Sequence, residues 1–127
     1  MNYSSDTIKV ALVTSSYTPN KDTDQYWSTP QANEASGSGY SAGGATLGSK
    51  TSTYSSGLHQ VQLDAADVSA WSTVTVTARY AVVYKSTGTA GTSPLLGYVD
   101  FGQDFTATAG PFTITWDTTG VLTYTLA

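Results

Sequence analysis

The chain predicts an all-β domain, an antiparallel β-sandwich or jelly-roll-like barrel of about eight strands with one long loop excursion. Three observations lead there. Thr and Ser fill roughly 30% of the positions, and Thr suits a pleated surface because its branched Cβ restricts χ1. Residues that build helices are scarce: Glu occurs once, at Glu34, Arg once, at Arg79, and charged residues make up 11% of the chain, against about 25% in an average domain. Several short runs alternate apolar and polar side chains with a period of two.

Taken in order, residues 7–14 form the first expected strand, with Ile8, Val10 and Leu12 on one face and Lys9, Ala11 and Val13 on the other. Residues 15–49 are polar and too long for an ordinary connection. Within them Tyr17-Thr18-Pro19-Asn20 reads as a turn. Residues 22–27 could make one helical turn with Asp22 as N-cap, and the glycines at 37, 39, 43 and 44 mark a loop or a bulged edge. Strands follow at 45–47, 51–54 and 59–63, with Ser55-Ser56-Gly57 as the turn between the last two. Residues 65–68 read as a short helical corner. The strongest strand is 74–84, with Val74, Val76, Ala78, Tyr80, Val82 and Tyr84 facing one way. Residues 95–101, 112–116 and 121–126 complete the set, the last two joined by a turn at Asp117-Thr118-Thr119-Gly120. All 127 residues are read as one domain with an arm at about 15–49.

Charge and motif content narrow the function. The net charge is −4, and Lys9, Lys21, Lys50, Arg79 and Lys85 do not cluster. A nucleic-acid partner needs a basic track to displace condensed counterions, so none is expected, and a basic membrane-binding face is equally missing. There is no Cys, hence no disulfide framework and no thiolate metal site. The opening residues lack a signal peptide's basic and apolar regions, and no apolar run reaches the roughly 20 residues of a membrane helix. Synthesis and assembly in a cytoplasm are the expectation.

No catalytic residue, metal site or cofactor is predicted. His59 is the sole histidine and has no zinc-binding partner at the required spacing. Gly39-Tyr40-Ser41-Ala42-Gly43 has the Gly-x-Ser-x-Gly spacing, but it lies in the stretch read as a loop or bulged edge, not at the strand-to-helix turn of a nucleophile elbow. Asp100, Asp104 and Asp117, beside Phe101, Phe105 and Trp116, are the only candidates for a glycosidase acid pair, but their places at strand ends suit turn capping better. Asp22 and Asp24 start like a calcium loop, but Tyr26 and Trp27 stand where ligands should. Asp64 and Asp67 make a second weak pair. The aromatics say more. Tyr17, Tyr26, Trp27, Tyr40 and Tyr54 lie in or beside the excursion, where they either pack beneath it as a satellite cluster or meet a partner. Tyr and Trp are favoured interface anchors, and Tyr17, Tyr26, Trp27 and Tyr40 are the candidate interface residues.

The runs Asp6-Thr7-Ile8-Lys9-Val10-Ala11-Leu12, Thr14-Ser15-Ser16-Tyr17-Thr18-Pro19-Asn20 and Gly39-Tyr40-Ser41-Ala42-Gly43-Gly44-Ala45-Thr46-Leu47 resemble, in the same order, those of small tailed-bacteriophage virion proteins. So do Arg79-Tyr80-Ala81-Val82-Val83-Tyr84, Ser93-Pro94-Leu95-Leu96-Gly97-Tyr98-Val99-Asp100-Phe101-Gly102 and Phe112-Thr113-Ile114-Thr115-Trp116. The resemblance implies a structural virion component located in the virion, assembled in the host cytoplasm, with phage capsid or other virion proteins as partners and no catalytic residues. The leading expectation is a homo-oligomeric capsid decoration or cement protein that bridges capsid subunits. A tail or adaptor component is the second. A carbohydrate-binding module using Trp27 and Tyr40 is the alternative of another class.

Overall fold

The structure, a computed structural model, describes residues 5–20, 23–57, 60–65, 68–114 and 122–125. Its backbone is almost all strand. In chain order the elements are β1 (Ile8–Val13), a one-turn helix α1 (Ser28–Gln31), β2 (Ala45–Thr46), β3 (Thr51–Ser55), β4 (Gln60–Asp64), β5 (Val68–Lys85), a 3₁₀ turn at Ala90–Thr92, β6 (Leu95–Ile114) and β7 (Leu122–Thr125).

The strands form two antiparallel sheets, one in the order β2-β1-β5-β6 and one in the order β3-β4-β7. This is all-β as expected, but the eight-stranded sandwich or barrel is not what the pairing builds. Seven strands occur among the described residues. The runs read as separate strands at 95–101 and 112–116 belong, as far as Ile114, to the single strand β6. Residues 102–111 between them carry Gly and Pro, which read locally as breaks. In the fold they become irregularities within one long pairing. Its register against β5 shifts between Ala78 and Tyr80 and at four other places. At Gly102 (φ 83°) and Ala109 (φ 48°) the strand enters the left-handed region, Gly102 without steric cost.

Strand β5 is interior, flanked by β1 and β6. It pairs with β1 in unbroken register from Ile8↔Lys85 to Val13↔Tyr80, so both faces of this region are covered and the run 80–84 is buried throughout. Ile8, Val10 and Leu12 join Ala81 and Val83 in one apolar cluster. Ala11 and Val13 join Tyr80, Val82 and Tyr84 in another, on the opposite face. The single face expected for residues 74–84 is therefore wrong. Val74, Val76 and Ala78 pack in the first cluster and the even-numbered residues from Tyr80 in the second. The alternation changes face where the pairing is interrupted after Ala78.

The β3–β4 hairpin runs from Thr51↔Asp64 to Ser55↔Gln60, as read from its turn. Strand β7 pairs with β4. The expected helical turn at 22–27 is displaced: α1 starts at Ser28, and Trp27 at its N-cap makes no side-chain cap. Of the helical corner at 65–68, Val68 is already in β5. Asp22, His59, Asp67, Trp116 and the turn 117–120 lie outside the described residues.

Candidate functional site

The excursion 15–49 folds back onto the large sheet and is tied to it by its own backbone. Ala35 N–H donates to Leu12 O and Thr14 N–H to Asn33 O, both at 2.9 Å. Thr75 N–H donates to Ser38 O at 2.9 Å, and Leu47 N–H to Ile8 O at 2.8 Å. At Gly44 (φ 83°) the backbone comes so close to β1 that a Cβ would lie 1.9 Å from Val10 O. Glu34 organises the segment: its Oε2 accepts from Tyr40 Oη at 2.7 Å and from Gly43 N–H at 2.8 Å. Tyr40 Oη in turn accepts from Leu12 N–H at 2.9 Å, and Tyr84 Oη donates to Gly43 O at 2.6 Å. Burial, followed by the bond to Glu34, pushes the Tyr40 phenol well above its ordinary range. Burial pushes the Tyr84 phenol up to about 12.

Three of the four candidate interface residues are used inside the chain. Trp27, 3% exposed, stacks flat on Tyr84 with ring centroids 4.6 Å apart. Its backbone N–H donates to Ser93 O at 2.8 Å. Tyr17, 6% exposed, meets Tyr80 edge-to-face. Tyr40 packs against the first cluster beside Trp71. Only Tyr26 is exposed, at 36%. Of the satellite group considered above, Tyr17 and Trp27 join the second core cluster and Tyr40 packs against the first, so these rings serve chiefly the chain's own packing. The carbohydrate-binding alternative loses Trp27 and Tyr40 for the same reason.

The acids behave as local ties. Asp100 Oδ1 accepts from Gly102 N–H at 2.8 Å and from Arg79 Nε at 3.1 Å. These bonds hold its carboxyl below the usual range, opposite to what a glycosidase acid requires. Asp24 Oδ2 accepts from Tyr17 Oη at 2.5 Å and from Asn20 N–H at 3.0 Å, which replaces the calcium-loop reading with an internal brace. Asp64 Oδ1 accepts from Ala65 N–H. Among the described residues no group of three His, Asp or Glu converges as metal ligands would, and no helix is long and apolar enough to cross a membrane.

The surfaces open to a partner lie on β6, which the loop reading missed. Among the described residues this strand ends the large sheet. Loop 24–27 caps only its start, through Leu95 N–H donating to Gln25 O at 3.0 Å and a bridge between Tyr26 and Pro94. Beyond that point, Val99 and Phe105 are 38% and 44% exposed. Phe101, half-buried, meets Phe105 edge-to-face at 5.9 Å. Tyr98, opposite Val82 in the pairing, is 49% exposed and walls a groove of about 380 Å³ with Tyr17, Asp24, Val82, Leu95 and Gly97. The signal for Tyr98, Val99 and Phe101 lies in the run 95–101, whereas Phe105 falls outside every expected strand. What that run lacks is any mark that, among the described residues, the strand has a neighbour on one side only. No protein-family model, curated protein or solved structure matches the chain.

Proposed function

We propose that the chain is a structural virion protein of a tailed phage, a capsid decoration protein that bridges capsid subunits and associates with copies of itself. The observation that carries the reading is the apolar stripe of Val99, Phe101 and Phe105 along an edge strand of the large sheet. In a chain with 11% charged residues, such a stripe is the kind of area that association buries. Bare strand pairing is not the mode of contact. Kinks at Gly102 and Ala109, together with Asp100 and Asp104, blunt the backbone edge, as edges that must avoid indiscriminate pairing are blunted. Contact through side chains remains. The brace of the excursion onto the sheet supports the same role, because it presents the stripe on a pre-organised body and lowers the entropic cost of association. A tail or adaptor position would use the same stripe against a different partner.

The experiment is co-sedimentation with decoration-free capsids of the cognate phage, alongside analytical ultracentrifugation of the protein alone. Wild type is expected to self-associate and to pellet with capsids. Val99→Asp with Phe105→Asp should keep its circular dichroism and lose both properties. Wild type that stays monomeric and in the supernatant would sink the decoration reading, and binding to purified tails in its place would move the protein to the tail.

A further inference from the structure

The groove beside Tyr98 lies on the opposite face of β6 from the stripe, since Tyr98 pairs with Val82 and Val99 with Ala81. Val82 belongs to the second core cluster and Ala81 to the first. At about 380 Å³ the groove falls at the small end of ligand sites, roughly 300–1,000 Å³. Its chemistry is specific. Tyr17 and Tyr98 line it, and each is braced edge-to-face by Tyr80, at 5.9 and 6.1 Å. Val82 and Leu95 supply apolar surface, and Gly97 adds no side chain. Among the described residues the one charged group in the lining is Asp24. Its carboxylate is fixed by Tyr17 Oη and Asn20 N–H. The ion pairs among the described residues are Arg79–Asp100 and Lys85–Asp6, and neither reaches it.

We propose that this groove binds a small organic cation of the quaternary-ammonium type. Aromatic faces attract a cation through the ring quadrupole, most strongly when the cation sheds water easily. The Asp24 carboxylate supplies the counter-charge, and the net charge of −4 draws cations and repels anions at longer range. A purely apolar ligand would desolvate Asp24 without compensation. A primary ammonium is strongly hydrated and carries three donors. The groove offers one carboxylate, with one oxygen already accepting two bonds. A quaternary ammonium has no donor to satisfy and is weakly hydrated, so it fits both the aromatic walls and the shortage of acceptors.

The test is an amide NMR titration of the full chain with choline, with its neutral carbon isostere 3,3-dimethyl-1-butanol, and with methyl β-glucopyranoside. Choline should bind saturably in the millimolar range, shift residues 17, 24 and 95–98, and weaken as salt is raised. The isostere should bind at least about ten-fold more weakly. Tyr98→Ala, at a half-exposed position, should reduce choline affinity by a similar factor with the rest of the spectrum unchanged. Asp24→Asn should reduce it too, whereas Phe105→Ala on the other face should not. Phosphatidylcholine vesicles separate the sources: co-sedimentation lost in Tyr98→Ala makes a lipid headgroup the source, and choline binding without vesicle binding makes it a free or polymer-borne cation. Equal binding of the isostere or the glucoside, no saturable shift with choline, or an unchanged affinity in Tyr98→Ala would each overturn the proposal. None of these outcomes depends on capsid attachment, so the two readings fail separately.

Discussion

Replacing Trp27 with Ala decides whether the excursion is part of the core. The indole is 3% exposed and lies parallel to Tyr84, with centroids 4.6 Å apart and planes 1° from parallel. Truncating a buried Trp costs about 3–5 kcal/mol, transfer and residual cavity together, and the stacked pair accounts for about 0.5–1.5 kcal/mol of that. The backbone bonds of Trp27, to Ser93 O and from Gln31 N–H, survive the substitution, so the loss should come from the ring. About 4 kcal/mol is a large part of the roughly 5–15 kcal/mol that stabilises a domain. The variant should therefore fold but melt early. Urea unfolding followed by far-ultraviolet circular dichroism should show a midpoint lowered by about 2 M at an unchanged slope of about 2 kcal/mol/M. Tyr26→Ala, one residue away and exposed, should stay within about 0.5 kcal/mol of wild type. A Trp27→Ala loss below about 1 kcal/mol would refute the packing argument and return the indole to the surface as a partner anchor.

Three further outcomes follow from the same contacts. Gly44→Ala forces a Cβ to 1.9 Å from Val10 O at a φ of 83°; it should cost more than about 2 kcal/mol or abolish folding, and a wild-type urea midpoint would show that β1 and the glycine loop do not approach. Tyr40→Phe leaves Leu12 N–H without its acceptor and Glu34 with only the Gly43 N–H donor, so unfolding free energy should fall by about 1–3 kcal/mol, while hydrogen exchange at Leu12 should quicken. Alkali should unfold the protein early, because burial raises the Tyr84 phenol from 10.0 to about 12 and Tyr17 and Tyr40 are raised as well. The unfolded chain then releases these protons first, so their contribution is complete below pH 10 and lost as pH rises through the folded values; a urea midpoint that stays flat between pH 10 and 12 would contradict the burial of Tyr84.

The two faces of β6 are chemically distinct because the strand alternates over a sheet whose two sides are finished differently. On the side of Ala81, β6 shows Val99 and Phe105 as exposed apolar area. On the side of Val82, the arm carrying Tyr17 and Asp24 rises against the start of β6 and turns the same kind of surface into a groove with a charge in it. The arm is held there by Trp27 N–H on Ser93 O and Leu95 N–H on Gln25 O. The excursion thus shapes a wall of the groove, while its largest rings go to the core.

How far the sequence shows this depends on the range of the interaction that decides each feature. Strand content, the β3–β4 hairpin and the interior position of residues 80–84 were legible, since local alternation and turn residues encode them. The continuity of β6 was not: Gly102 and Pro111 look like breaks, and only the long partner strand β5 turns them into irregularities within one pairing. The face switch after Ala78 has the same origin, because a bulge is a property of two strands. The aromatics of 15–49 were legible as a group needing burial or a partner, yet their number does not choose between the two. The choice is made by contacts over long sequence separations, Trp27 with Tyr84 and Tyr40 with Leu12. Asp24 shows the limit most clearly. Beside Asp22 it reads as half of a cation loop. Packed under Tyr17 and facing Tyr98, which lies more than seventy positions away, it becomes the charge at one wall of an aromatic groove.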